Sequence, residues 1–159
     1  MSFTLEFWYY AKTGPLQSGG PVSAKSTSEI EEVLSNLLKE GAQPHPTQVV
    51  APELPRFGIL DMPDRMFKMD LDHESTIGAL HYFGPDEYDE PGRFWSWASV
   101  SNEDLPSSPP VLYIDKDNRT PFPPRSALTL KTITKALDEF RQTGTRPTCI
   151  EWQSTGGIA

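Results

Sequence analysis

Phe3, Leu5, Phe7 and Tyr9 alternate with Thr4, Glu6, Trp8 and Tyr10, and a two-residue period of this kind predicts a strand with at least one buried face. The period then changes. Ile30, Val33, Leu34, Leu37 and Leu38 recur at helical spacing and form one apolar stripe. Ser26 with Glu29, or Ser28 with Glu31, offers a capping box, and Gly41 a stop. A second helix is predicted from Leu130, Ile133, Leu137 and Phe140, which share a face; Ser126 or Thr129 can cap its start and Gly144 can close its end.

The intervening segments read as strands and connections. Residues 11–25 contain Gly14-Pro15 and Gly19-Gly20-Pro21 and read as a connection. Prolines at 44, 46, 52, 55 and 63 confine any strand in 43–63 to a short or edge piece at 48–51. Residues 66–71, 76–83 and 93–99 are rich in aromatic and aliphatic side chains, and the acidic, Pro- and Gly-containing breaks between them suit an antiparallel meander. Residues 111–114 read as a further strand, followed by turn chemistry at 115–119 and a hairpin return through 120–122. A terminal strand at 148–152 completes the order. The expectation is an α+β fold with a mainly antiparallel sheet and two helices packed on one face. Residues 1–153 are read as one domain and 154–159, with Gly156-Gly157, as a mobile tail.

Composition narrows the function classes. A single cysteine, Cys149, in 159 residues cannot form an intrachain disulfide, which fits a reducing cytoplasm. The N-terminal residues have no basic-then-apolar signal pattern, and no apolar run approaches the roughly 20 residues of a membrane span. Charge is more informative, because the net −8 is uneven. From Asp61 to Asp104 there are eleven acidic residues against Arg65, Lys68 and Arg93, and this tract holds the whole imbalance. Such a field repels phosphate backbones and speeds encounter with a basic protein, so direct nucleic-acid binding is disfavoured.

No constellation carries catalysis. Asp70-Leu71-Asp72-His73-Glu74 crowds potential ligands but lacks zincin or calcium-loop spacing, so no metal and no cofactor are expected. An alternative reading is a small hydrolase-like enzyme using Asp70, Asp72, His73 or His81. Cys149, placed in a buried strand, reads as a core thiol, and Gly-rich phosphate loops and nucleophile elbows are absent from the sequence. The run Asp86-Glu87-Tyr88-Asp89-Glu90 lies between Gly84-Pro85 and Pro91-Gly92, and so reads as an exposed loop of solvated carboxylates with ordinary pKa values. Phe94-Trp95-Ser96-Trp97 follows, with Trp95 and Trp97 on one strand face. Asp86, Glu87, Tyr88, Asp89, Glu90 and Phe94 are therefore the candidate partner-binding residues.

The last third combines a helix over 130–141, the turn Thr143-Gly144-Thr145-Arg146-Pro147 and a strand ending on Glu151-Trp152. This resembles the first-numbered immunity-protein family of bacterial polymorphic toxin systems. The aromatic 82–83 and 95–97 strands look like the family's central strands. The resemblance implies an α+β fold, no catalysis, and a toxin encoded alongside, often one with a nucleic-acid deaminase domain; the expected partner is that toxin, with no small-molecule substrate.

Overall fold

The computed structural model describes residues 2–11, 20–103, 105 and 110–157. Gly14-Pro15, Asp104, most of the proline-rich 107–110 stretch and the last two residues of the expected tail lie outside them. The first strand, β1 (Leu5–Trp8), buries Leu5 and Phe7 completely and turns Trp8 outward, as the alternation requires. Along one edge it pairs with β2 (Pro21–Ala24), a strand inside the segment read as a connection. Pro21 begins this strand at the sheet margin, where a missing N–H leaves no gap in the ladder.

Helix α1 (Thr27–Glu40) starts at Ser26, whose Oγ accepts the Glu29 N–H at 3.2 Å. The Glu29 carboxylate reaches back one residue further than in a standard capping box, accepting from the Lys25 N–H at 3.0 Å. Ile30, Val33, Leu34 and Leu37 are buried. Next comes β3 (Thr47–Val50), which is short, as expected, but lies between β1 and β6 (Met66–Asp72) and so is an interior strand and not an edge one. The prolines permit this because Pro46 and Pro52 only flank it, and all four of its residues keep their N–H groups. A small separate hairpin, β4 (Arg56–Phe57) and β5 (Met62–Pro63), intervenes before β6.

β6, β7 (Ile77–Pro85) and β8 (Phe94–Val100) form the expected meander. β9 (Tyr113–Asp115) and β10 (Thr120–Pro121) form the expected hairpin, and β11 (Leu128–Thr129) extends the sheet against Ile77 and Gly78 of β7. Helix α2 (Leu130–Thr143) is capped by Thr129, whose hydroxyl accepts the Thr132 N–H. Gly144 closes it in the left-handed conformation, φ 73°, with its N–H donating to the Phe140 carbonyl at 2.7 Å. The last strand, β12 (Glu151–Gly156), pairs with β8. Residues 154–156, assigned above to a mobile tail, thus belong to the sheet.

The main sheet runs β12-β8-β7-β6-β3-β1-β2, with every described pairing antiparallel. Both helices cover one face, over a core in which Phe7, Phe67, Tyr82, Ile133, Leu137 and Phe140 are fully buried. Phe67, Tyr82 and Phe140 meet edge to face with centroids 4.9–6.1 Å apart. The opposite face carries a smaller core of Ile77, Ala79, Ala98, Leu112 and Phe122. This is the α+β arrangement the pattern predicted.

Candidate functional site

Residues 86–93 connect β7 to β8, and the loop is built around Asp86. Its side chain is buried, with 1% of the residue exposed, contrary to the expectation of a solvated carboxylate. Oδ1 accepts the N–H groups of Tyr88 and Asp89 at 3.3 and 3.0 Å, and Oδ2 accepts Arg93 Nε at 2.8 Å. Burial is the largest single influence on this carboxyl and opposes ionisation. The hydrogen bonds from Asp89, Arg93, Tyr88 and Glu90 together outweigh it, holding the pKa below the ordinary aspartate value. Asp86 thus shapes the loop from inside and is not available to a partner.

The other candidates are placed differently. Glu87, Asp89 and Glu90 are exposed. Glu87 pairs with Arg65 at 2.9 Å and Glu90 with Arg93 at 3.2 Å. Tyr88 is 49% exposed, and its hydroxyl donates to the Arg146 carbonyl at 3.1 Å. Phe94 is half-buried, with its ring 6.1 Å from Phe83 and 5.9 Å from Phe57.

Three arginines hold the surroundings; in the sequence Arg65 and Arg93 are counted in the acidic tract and Arg146 falls in the turn after the second helix, but none of them is given a role at the loop. Arg65 grips Asp64 with two hydrogen bonds of 2.7 and 3.0 Å, then donates to Glu87 and to the Gly144 carbonyl at 2.7 Å. It ties the start of β6, the acidic loop and the end of α2 together. Arg93 lies 4.1 Å over the Trp95 ring. Arg146 sits between Trp97, at 4.0 Å, and Tyr88, at 5.3 Å. Among the described residues its buried Nε and one terminal nitrogen have no hydrogen-bond acceptor, and the guanidinium rests against the two aromatic faces. Tyr88, Asp89, Trp97, Arg146, Glu151 and Trp152 line a shallow groove of about 550 Å³ here. The available signal was that Arg65 and Arg93 are two of only three cations in the acidic tract.

The turn after α2 is fixed from several sides. Glu139 accepts from the Thr148 N–H, the Thr148 hydroxyl and the Cys149 N–H at 2.6–3.0 Å. Trp152 Nε1 donates to the Pro147 carbonyl at 2.8 Å. Cys149 is exposed and precedes β12, which corrects its placement in a buried strand. The turn takes its backbone N–H for Glu139 and so keeps it out of the ladder. Partial covering of the sulfur, then the Glu139 carboxylate, push the thiol up to about 11, so it stays protonated at neutral pH.

Of the side chains of the alternative enzyme reading, Asp70, Asp72 and His73 line one open pocket of about 340 Å³ with Lys116 and Arg119, and His81 is not part of that lining. Asp70 is buried, paired with Lys116 at 3.2 Å, and accepts the Tyr113 N–H at 2.8 Å. Asp72 accepts from the Ser75 N–H and hydroxyl. His81 meets Thr155 Oγ1 at 3.0 Å, and burial with the nearby Lys68 charge lowers its pKa to about 4. Among the described residues no cluster of three or more His, Cys, Asp or Glu side chains is placed to hold a metal ion, and no helix is long and apolar enough to cross a membrane.

The family model described as Immunity protein Imm1 matches residues 18–154. The chain belongs to the Imm1 family. No curated protein and no solved structure matches it. The Imm1 match takes in every element from β2 to the start of β12, including the acidic loop, the Thr143–Pro147 turn and the β4–β5 hairpin. Imm1 membership makes the chain an immunity protein, the counterpart of a toxin. Within this Imm1 chain, Gly144, Arg146 and Pro147 act on the shape of the site: Gly144 through the helix end and Arg65, Arg146 by supporting Tyr88, and Pro147 by anchoring Trp152.

Proposed function

We propose that this Imm1 protein neutralises its toxin without catalysis, in the cytoplasm, by laying the loop of residues 86–93 over a basic substrate site, and that the toxin is of the nucleic-acid-deaminase type. The observation that carries this reading is the trio of exposed carboxylates, Glu87, Asp89 and Glu90, on a loop held in one shape by Asp86, Arg65 and Arg93. A toxin that handles nucleic acid must gather lysine and arginine where phosphates bind, and prepositioned carboxylates compete for those cations. Tyr88 and Phe94 supply aromatic surface beside the charges, as anchoring residues at interfaces do.

Asp86 plays a supporting part in this reading and makes no contact with the toxin. Co-expression with the product of the adjacent gene, followed by pull-down and a growth-protection assay, tests it. The expected result is a stable complex and protected cells, with both weakened in Glu87→Gln/Asp89→Asn/Glu90→Gln. Parental binding by that triple variant would move the contact surface away from the loop.

A further inference from the structure

The β4–β5 hairpin ends in a four-residue turn, Gly58-Ile59-Leu60-Asp61, closed by the Asp61 N–H donating to the Gly58 carbonyl at 3.2 Å. Gly58 at φ 77° and Asp61 at φ 52° take the left-handed conformations this tight reversal needs. At the tip Ile59 is fully exposed and Leu60 is 82% exposed, with Phe57 and Met62 half-exposed behind them. Four large apolar side chains in six residues, turned to water on a short protrusion, are the largest such concentration among the described residues.

The hairpin is nonetheless firmly built. Arg56 donates to the Asp61 carbonyl at 3.1 Å, and the Asp64 N–H to the Pro55 carbonyl at 3.1 Å. Phe57 packs on Phe94, and Asp64 is gripped by the same Arg65 that holds Glu87. Base and acidic loop therefore share one support.

We infer that the β4–β5 hairpin is the apolar anchor of the toxin complex, inserting Ile59 and Leu60 into an apolar pocket of the toxin whose rim is basic. This rests on the function proposed above and adds the residues from which most of the affinity comes. The argument for this occupant is charge and continuity. On the hairpin itself exposed Arg56 and Asp61 offset each other, but its base packs on Phe94 and shares Arg65 with Glu87, so the aliphatic tip adjoins the loop that exposes Glu87, Asp89 and Glu90, and that acidic neighbour favours a positively charged rim. A second copy of this chain, with net charge −8, meets that surface with like charge. A pre-formed tip also loses little conformational freedom on binding, which favours slow dissociation.

The test uses the full chain with Ile59→Ser/Leu60→Ser and, as probe, the toxin domain encoded by the adjacent gene. Both side chains are outside the core, so the melting temperature is expected to match the parent. Binding is expected to weaken about 30-fold or more, almost entirely through faster dissociation, as loss of an interface anchor does. Parental affinity in this variant, alongside slowed association in Glu87→Gln/Asp89→Asn/Glu90→Gln, would overturn the hairpin assignment and leave the loop reading standing. Failure of the parent to bind the toxin would remove both. Sedimentation completes the experiment. Concentration-dependent self-association of the parent, abolished in Ile59→Ser/Leu60→Ser while toxin affinity is kept, would assign the tip to a second copy instead.

Discussion

At the scale of single residues, the acidic loop depends on one buried carboxylate. Asp86→Asn keeps the size of the side chain but removes the charge and presents an NH₂ to donors that need an acceptor. The expected cost is about 1–3 kcal/mol, the range for leaving buried hydrogen-bonding groups unsatisfied, and thermal or urea unfolding measures it. The pH dependence carries a sign. Because the folded pKa of Asp86 lies below its ordinary value, the stability it confers is present above the unfolded pKa, near 3.8, and is lost as pH falls through the folded value. Asp72, Asp138 and Glu139 are lowered in the same way, so acid unfolding of the parent is collective. In Asp86→Asn that acid limb should be shallower but still present; an unchanged limb would mean that Asp86 contributes nothing to it. Cys149 gives the contrasting case. With its thiol held protonated, it should react slowly with iodoacetamide at pH 7–8, and Cys149→Ala should fold and protect like the parent. Loss of protection in a folded Cys149→Ala protein would give the thiol a role its surroundings do not suggest.

At the scale of elements, both helices follow from periodicity and capping chemistry, and single core substitutions should break them. Leu37 and Leu137 are almost completely buried, so Leu37→Asp or Leu137→Asp places a charge where no partner exists and should unfold the protein, as read by circular dichroism. Gly144→Ala should cost about 1–2 kcal/mol for the left-handed backbone alone, and more because a Cβ would lie 2.9 Å from the Phe3 ring. The elements that escaped the sequence reading share a cause. β2 is four residues long beside a Gly-Gly-Pro break, and the β4–β5 hairpin has two-residue arms closed by Pro55 and Pro63, so neither is long enough to show a period. β3 was located correctly and is short, as the flanking prolines required; only the edge alternative fails, because prolines near a strand look like prolines in one. The loop at 86–93 was legible from its Gly-Pro and Pro-Gly brackets, and the exposure of Tyr88, Asp89 and Glu90 follows. The burial of Asp86 was not legible, since it depends on Arg93 folding back across seven residues. Nor were the roles of Arg65 and Arg146: Arg65 joins its neighbour Asp64 to Glu87 and to Gly144, 22 and 79 positions away, and Arg146 meets Trp97 about 50 positions away, contacts that form only once the sheet has formed.

At the scale of the whole molecule, the question is what remains of the −8 charge once the internal pairs are made. Asp64, Asp70 and Asp86 are buried and each faces a cation, so their charges are largely neutralised within the fold. Among the described acids of the tract Asp61, Glu74, Glu87, Asp89, Glu90 and Glu103 stay exposed, and four of these six, Asp61, Glu87, Asp89 and Glu90, lie on the loop and the hairpin turn, where Glu87 and Glu90 share Arg65 and Arg93 with Asp64 and Asp86. A field from exposed charges is screened over a Debye length of about 30 Å at 0.01 M salt and about 3 Å at 1 M. It therefore steers a basic partner at low ionic strength and fades at high ionic strength. The rate of association with the toxin should fall steeply across that series for the parent and much less for Glu87→Gln/Asp89→Asn/Glu90→Gln, while dissociation changes little in either. Occlusion adds a second signature. If the loop occupies the surface that receives nucleic acid, raising the substrate concentration must raise the amount of immunity protein needed for half inhibition, in proportion to substrate saturation. Stopped-flow association across the salt series, with inhibition curves at several substrate concentrations, measures both. A salt-insensitive parental rate together with inhibition independent of substrate would place the contact on a remote face of the toxin, and would separate the acidic surface of this protein from the way it inhibits.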